Sequence, residues 1–307
     1  MKKNKNIPYL INSISEQYQL LSLPKPQHPL IGVFNFKDIT YNNKELTNNF
    51  TLNFYCIALK KEFKGKFKYG QNYYDFDEGI MSFISPGQLL SVVEDKDDNP
   101  TEGCCLVFHP DFIANYSLAK NIKNYGFFSY ALNEALYLSE KEEFMVESIM
   151  NNIKNEYSSG IDIYSQDVLV SQVELLLNYS NRFYNRQFIT RKSANNSILS
   201  NLENILTDYF NKEKMQETGL PTVNYIAQEL NVSANYLSDM LRSLTGQSTQ
   251  QHIHNKLIEK AKESLTTTAL SVSEIAYQLG FERPQSFNKL FKNKTNVSPL
   301  EFRASFN

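Results

Sequence analysis

Tryptophan is absent from this 307-residue chain, histidine occurs four times and cysteine three times. With Lys and Asn abundant, the missing tryptophan reads as genome composition and carries no function. Cys56, Cys104 and Cys105 are odd in number and lack framework spacing, which excludes a disulfide scaffold and points to ordinary thiols in a reducing compartment. No stretch approaches ~18 uncharged apolar residues, so no membrane-spanning helix is expected. The basic start Met1-Lys-Lys-Asn-Lys leads into Pro8, Asn12, Ser13 and Glu16 rather than an apolar core, which reads as a cytoplasmic chain without a signal peptide. Metal ligands are scarce too. His28 and His109 stand far apart, and His252-Ile-His254 falls in a predicted helix, where residues i and i+2 point about 200° apart and cannot share an ion. There is no Gly-x-Ser-x-Gly elbow, no Gly-rich phosphate loop and no cysteine with an obvious histidine partner. No catalytic residue, metal or cofactor is therefore expected.

Excess charge of either sign is also missing. The formal net charge is −2, which by itself argues against a nucleic-acid binder, and Asn195 to Asn307 holds 11 basic and 11 acidic residues. The placement is uneven, however. Between 283 and 303, Arg283, Lys289, Lys292, Lys294 and Arg303 stand against Glu301 alone. Phosphate contact needs positive charge on one face, not a basic domain.

What is present is enough for a core: 41% hydrophobic residues, with 19 Tyr and 21 Phe, over a length that suits two domains. Apolar runs at Leu30 to Phe36, Thr51 to Leu59, Ile80 to Ile84 and Cys104 to Phe108 read as strands. Turn material separates them at Asn42-Asn43, Lys64-Gly65, Asp77-Glu78-Gly79, Ser85-Pro86-Gly87 and Asp95 to Pro100. The period then becomes helical. Ser139 and Glu142 form a capping-box signal ahead of Val146, Ile149, Met150, Ile153 and Tyr157. A second helix follows from Asp162 to Tyr184, with Leu169, Val173, Leu176 and Leu177 as its stripe. Residues 185–196 are polar and aperiodic. The expected organisation is a β domain (1–138), a helical hairpin (139–184), a linker (185–196) and an all-helical domain (197–307).

The strongest signal is an internal repeat. Ile226-Ala-Gln-Glu-Leu-Asn231 matches Ile275-Ala-Tyr-Gln-Leu-Gly280 at an offset of 49. One residue later in register, Leu237, Leu241 and Thr245 align with Phe287, Phe291 and Thr295. Each copy predicts a short helix, a turn and a longer helix, the helix-turn-helix arrangement. Ala227 and Ala276 are small where two helices cross, while Asn231 and Gly280 tolerate a positive φ. Ser233, Ser271 with Glu274, and Ser298-Pro299-Leu300-Glu301 are helix starts. Pro284 suits a first helical turn. The outer faces of the longer helices carry Asn235, Ser238, Asp239 and Arg242, and Gln285, Ser286, Asn288, Lys289 and Lys292. These side-chain types read base edges or hold phosphates.

Ile275, Ala276, Gly280, Phe281, Phe287, Phe291, Lys292, Pro299, Phe302 and Arg303 fall on the signature of the second repeat in the AraC/XylS family of transcription regulators. The segment from about Thr222 to Arg303 resembles that family. Lys256-Leu257, where the family tends to have Arg-Leu, is a mild departure. The resemblance implies two recognition helices held by one connecting helix (about Ser248 to Leu265) and entering successive major grooves about 34 Å apart. Double-stranded DNA would be the partner. Carried over by position, the base-reading residues are Asn235, Ser238 and Asp239 in the first unit and Pro284, Gln285, Ser286 and Lys289 in the second. Arg242 and Lys292 lie alongside, and Asp239 stands where relatives often have a basic residue.

For the rest of the chain the resemblance implies a cupin-like β-barrel that senses a small molecule and a hairpin that forms a homodimer. The fold class is then multidomain, β then α. Phe34, Phe36, Tyr55, Tyr73 and Phe83 could line an effector pocket or simply be core. Leu169, Val173 and Leu176 could pair with a second copy or pack on the β domain. The alternatives are a ligand-independent regulator controlled by a protein partner and, weakest, a metal-dependent cupin enzyme fused to a DNA-binding module.

Overall fold

The computed structural model describes residues 8–39, 49–61, 67–69, 72–74, 79–90, 102–159, 162–211 and 219–306. The chain divides into two units, Met1–Gln187 and Phe188–Asn307. The turns expected at Asn42-Asn43, Lys64-Gly65, Asp77-Glu78 and Asp95 to Pro100 lie outside the described residues.

The first unit is built on β1 (Tyr9–Ile11), β2 (Ile31–Asn35), β3 (Phe50–Leu52), β4 (Tyr55–Lys61), β5 (Phe67–Tyr69), β6 (Asn72–Tyr74), β7 (Ile80–Ile84), β8 (Leu89–Leu90), β9 (Glu102–Phe108) and β10 (Leu136–Tyr137). Among the described residues they form a five-stranded antiparallel sheet (β10-β7-β4-β9-β2), a sheet β1-β3-β8 and a hairpin β5-β6. The run expected as one strand at Thr51 to Leu59 is split, because Asn53 donates its N–H to the Ile11 carbonyl of the smaller sheet.

Strand alternation assigns the faces of the larger sheet. Phe34, Cys56, Ala58, Cys105 and Val107 join Ile11, Ile14, Tyr18, Leu52 and Phe54 in one cluster. On the opposite face Ile57 lies between Phe83 and Leu106, and helices cover it. At Gly103 φ is 113°, and a Cβ there would lie 2.1 Å from the Leu59 carbonyl oxygen, so the close approach of β9 to β4 requires glycine.

Helix α1 (Ile14–Leu20) and the short α2 (Ser117–Asn121) precede α3 (Glu140–Ser158) and α4 (Ser165–Thr190). The Ser139 N–H donates to Glu142 Oε2 at 2.9 Å, the start expected for α3. Val146, Ile149, Met150, Ile153 and Tyr157 are its buried stripe, as their spacing predicts. Glu143 accepts from the Gly79 N–H at 2.7 Å and pairs with Lys61 at 2.9 Å, pinning α3 to the sheet.

Two stretches sit differently from the expectation. Leu169, Val173 and Leu176 are 6%, 0% and 0% exposed within this single chain, so the stripe is internal core and is not offered to a second copy. Residues 185–196 are helical for most of their length, in α4 and in α5 (Lys192–Asn211), with the division at Gln187/Phe188 falling inside them. Two of their polar side chains are buried against backbone groups. Gln187 accepts from the Tyr137 N–H and donates to the Ala135 carbonyl, and buried Asn195 donates to the Phe188 carbonyl.

The second unit continues with α6 (Val223–Glu229), α7 (Ala234–Thr245), α8 (Thr249–Thr267), α9 (Val272–Gln278), α10 (Pro284–Thr295) and α11 (Pro299–Ala304). Helix α8 buries Ile253, Leu257, Ile258, Ala261 and Leu265, a stripe that gives both repeats a common surface to pack on.

Candidate nucleic-acid interface

Both repeats are assembled from the same local devices. Thr222 Oγ1 accepts from the Tyr225 N–H to start α6, and Ser271 and Glu274 cap α9 reciprocally. Each short helix ends in the same reversal. Val232 N–H bonds the Ala227 carbonyl and Phe281 N–H bonds the Ala276 carbonyl, both at 3.0 Å. The intervening Asn231 and Gly280 sit at φ 56° and 79°. That is a Schellman turn, which requires the left-handed region open to glycine and tolerated by asparagine. Ala227 and Ala276 are 2% and 0% exposed, which lets the longer helices cross close above them.

Those longer helices match in length and exit. Helix α7 ends at Gly246, φ 73°, and α10 at Asn296, φ 63°. Thr245 and Thr295 donate to the Leu241 and Phe291 carbonyls at 2.8 Å each, so the aligned pairs play the same part in both copies. Their inner faces hold Tyr236, Leu237, Met240 and Leu241 in α7 and Phe287 and Phe291 in α10, all buried. In the second copy Phe281, Phe287, Phe291 and Phe302 form a chain of rings at 5.5–5.7 Å spacing.

The outer faces differ between copies. In α7, Asn235 and Arg242 are exposed and Ser238 and Asp239 half-buried. Arg242 pairs with Asp239 at 2.8 Å, and the Ser238 hydroxyl lies 3.0 Å from that of Thr249. In α10, Gln285, Ser286, Asn288, Lys289 and Lys292 are exposed and Pro284 half-buried. Among the described residues no hydrogen bond or ion pair engages the side chains of Gln285, Ser286 or Lys289. Arg283 precedes the helix without a side-chain cap, so Pro284 alone sets its start.

Two arrangements escape periodicity. Gln247 Oε1 accepts from Asn255 Nδ2 at 2.8 Å, and Asn255 Oδ1 accepts from Lys294 at 3.1 Å. This chain ties the exit of α7, the connecting helix and α10. Arg303 donates from Nε to the Leu265 carbonyl at 3.1 Å, satisfying the last turn of α8. No spacing rule could link residues 247, 255 and 294. His252 and His254 do not converge on an ion. One meets Thr245 and the other Gln250, and burial pushes both imidazoles below their usual pKa, Lys294 adding to the effect on His254.

The aromatic candidates of the first unit do not converge on one cavity. Phe34 faces the cluster with Tyr18, edge-on at 5.4 Å, and Phe36 packs on the same cluster. Phe83 lies on the opposite face against Phe127 at 4.3 Å, and Tyr55 stacks on Phe108 at 5.0 Å. The side chain of Tyr73 lies outside the described residues.

Two capped helix pairs on one connecting helix define a tandem helix-turn-helix module. Residues 226–305 match a family model described as a helix-turn-helix domain. The Msm operon regulatory protein of Streptococcus mutans is 36% identical over 81 residues, 26% of this chain and 29% of that protein. The HTH-type transcriptional activator RhaS of Escherichia coli O139:H28 is 28% identical over 139 residues, 45% of each. Among solved structures, the C-terminal domain of the two-component response regulator yesN from Fusobacterium nucleatum is 31% identical. That match covers 34% of this chain and 95% of that one, with a TM-score of 0.30. Over residues 226–305 the chain resembles the AraC/XylS family of regulators. It spans less than half the length of the curated relatives it matches.

Proposed function

We propose that this chain is a cytoplasmic, sequence-specific DNA-binding regulator of transcription, reading two successive major grooves with α7 and α10. The observation that carries the reading is the duplicated capped turn, which presents a polar helix face twice from one connecting helix. On α10 that face combines amide and ammonium groups that no described residue engages, Gln285 and Lys289 above all. Gln is suited to adenine N6/N7 and Lys to guanine O6/N7 or phosphate. On α7, Asn235 and Arg242 are the exposed contributors, with Ser238 and Asp239 half-withdrawn.

The N-terminal unit is a cupin-like sensor in this reading, whose bound state alters the DNA-binding unit, and the active species is a homodimer. With Leu169, Val173 and Leu176 buried in the monomer, pairing would use other surfaces. Among the described residues there is no cluster of three or more His, Cys, Asp or Glu able to hold a metal. No helix among those residues is long and apolar enough to cross a membrane.

Selection of bound sites from random duplex DNA by the full-length protein tests the proposal. Two short enriched blocks about one helical turn apart are expected. Binding without sequence preference, both for the whole chain and for residues 188–307, would overturn it.

A further inference from the structure

The helix-covered face of the larger sheet is sealed by aliphatic and aromatic side chains except at one end. There a cleft of about 300 Å³ opens between β2, β4, β9 and α3, within the size range of metabolite sites. Its apolar floor is Val33, Leu59 and Met150, and polar groups line the rest. We propose that this cleft is a binding site for a small hydroxylated carboxylate, held by the ammonium groups of Lys37 and Lys154.

Among the described lining residues the charges do not cancel one another. Lys61 is shared between Glu143 and Glu147 and is internally neutralised. Among the described residues Lys154 reaches only the neutral amide oxygen of Asn35, at 3.3 Å, and that amide is oriented by Asp38, which accepts from its nitrogen at 2.8 Å. An ammonium has three donors, so Lys154 retains capacity for an incoming anion. Lys37 projects from the turn after β2, and among the described residues no carboxylate pairs with it. Two lysines at one cleft without paired carboxylates suit an anion. The remaining lining contains the Asn151 amide and the Glu102 carboxylate. A carboxylate there accepts hydrogen bonds from hydroxyls but repels a second anionic group. The complement is therefore one carboxylate on a carbon skeleton bearing hydroxyls. Cys104, whose thiol is pushed up to about 11 mainly by burial, stays protonated beside it and adds no charge.

Binding at this cleft does not depend on the DNA-binding proposal; only its regulatory consequence rests on that reading. The test is isothermal titration and thermal melting of the full-length protein with D-gluconate and D-glycerate, against glucose and glucose 6-phosphate. At least one carboxylate should bind saturably and raise the melting temperature, glucose should not bind, and glucose 6-phosphate should bind more weakly. Lys154→Met and Lys37→Met should each weaken carboxylate binding roughly ten- to hundredfold, the loss of a charge-assisted hydrogen bond. Lys123→Met, an exposed lysine away from the cleft, should leave it unchanged. Lys37 is itself exposed, so its variant keeps the packing intact even if Lys154→Met melts early. Failure of both carboxylates to bind overturns the proposal, as does equal binding of the phosphate or affinity indifferent to both substitutions. If a carboxylate binds through these lysines but leaves affinity for selected DNA unchanged, the site stands and the sensor reading falls.

Discussion

In the first helix-turn-helix copy Arg242 pairs with Asp239 and Ser238 meets Thr249. In the second, no described residue engages the side chains of Gln285, Ser286 and Lys289 on an otherwise matching helix. The turns of the two copies superpose in their hydrogen bonds, and their aligned buried positions differ as Leu237 and Leu241 differ from Phe287 and Phe291. A duplicated scaffold thus constrains what lies inside and around the turn, while the outer face is free to diverge. If both helices read DNA as proposed, the difference predicts unequal shares, with α10 dominant and α7 restrained by its own carboxylate.

The largest expected effect is on the scaffold. Phe287→Ala removes a fully buried ring from the aromatic chain and should destabilise the second unit by about 3–5 kcal/mol, measured by denaturant unfolding. A cost no larger than that of an exposed substitution would show that the chain of rings is not the core of the second copy. Next comes the exposed face. Gln285→Ala and Lys289→Ala should each weaken binding to the selected site by about 1–3 kcal/mol with the fold intact, and removing a hydrogen bond to a base edge should relax preference at that base pair. Ser238→Ala, by contrast, should change DNA affinity little. Equal losses at 238 and 285, in binding isotherms at one salt concentration, would abolish the proposed asymmetry.

A smaller effect, opposite in sign, is expected at Asp239. Asp239→Ala removes a charge that repels phosphate and releases Arg242, so binding should tighten by on the order of 1 kcal/mol at low salt, with a steeper salt dependence. Unchanged affinity would mean that α7 does not approach the backbone at that turn. The smallest effect concerns acidity. Burial lowers the folded-state pKa of His252 and His254, so the unfolded chain binds more protons below about 6.5. Their contribution is fully present above that value and is lost as the pH falls through it toward the lowered folded values. Melting temperature should therefore drop between about pH 7.5 and about pH 5.5, less steeply in a His252→Gln, His254→Gln variant. An identical slope in both proteins would assign the acid sensitivity elsewhere.

The C-terminal half was legible in detail because its signals are local: Ser233, Ser271 with Glu274, and Ser298 with Glu301 cap helices where their spacing says they should. Asn231 and Gly280 take the positive φ that their positions require. Periodicity was less informative about what a stripe faces. Leu169, Val173 and Leu176 share one helix face whether it meets a sheet or a second chain, and only the tertiary fold decides. The aromatic set failed as a pocket for a related reason. Phe34 and Phe83 belong to strands whose register sends them to opposite faces of one sheet. Residues 185–196 read as a linker because the stretch is polar and loses periodicity, yet Gln187 and Asn195 are buried against backbone groups. The lysine cleft left no trace at all, since Lys37, Glu102 and Lys154 meet only through strand pairing and helix packing.

The hydrogen bonds from Gln247 through Asn255 to Lys294 make the two recognition helices parts of one brace. If both helices engage one duplex as proposed, a brace that holds their span would leave the duplex to adapt to it. Base pairs between the two contacted blocks, untouched by any side chain, then enter the affinity through the elastic cost of bending and twisting them, on the order of 1–6 kcal/mol for a strongly bent site. Flexible pyrimidine–purine steps there would favour binding and stiff A-tracts oppose it, so part of the sequence preference of this protein would be written in the mechanics of the DNA.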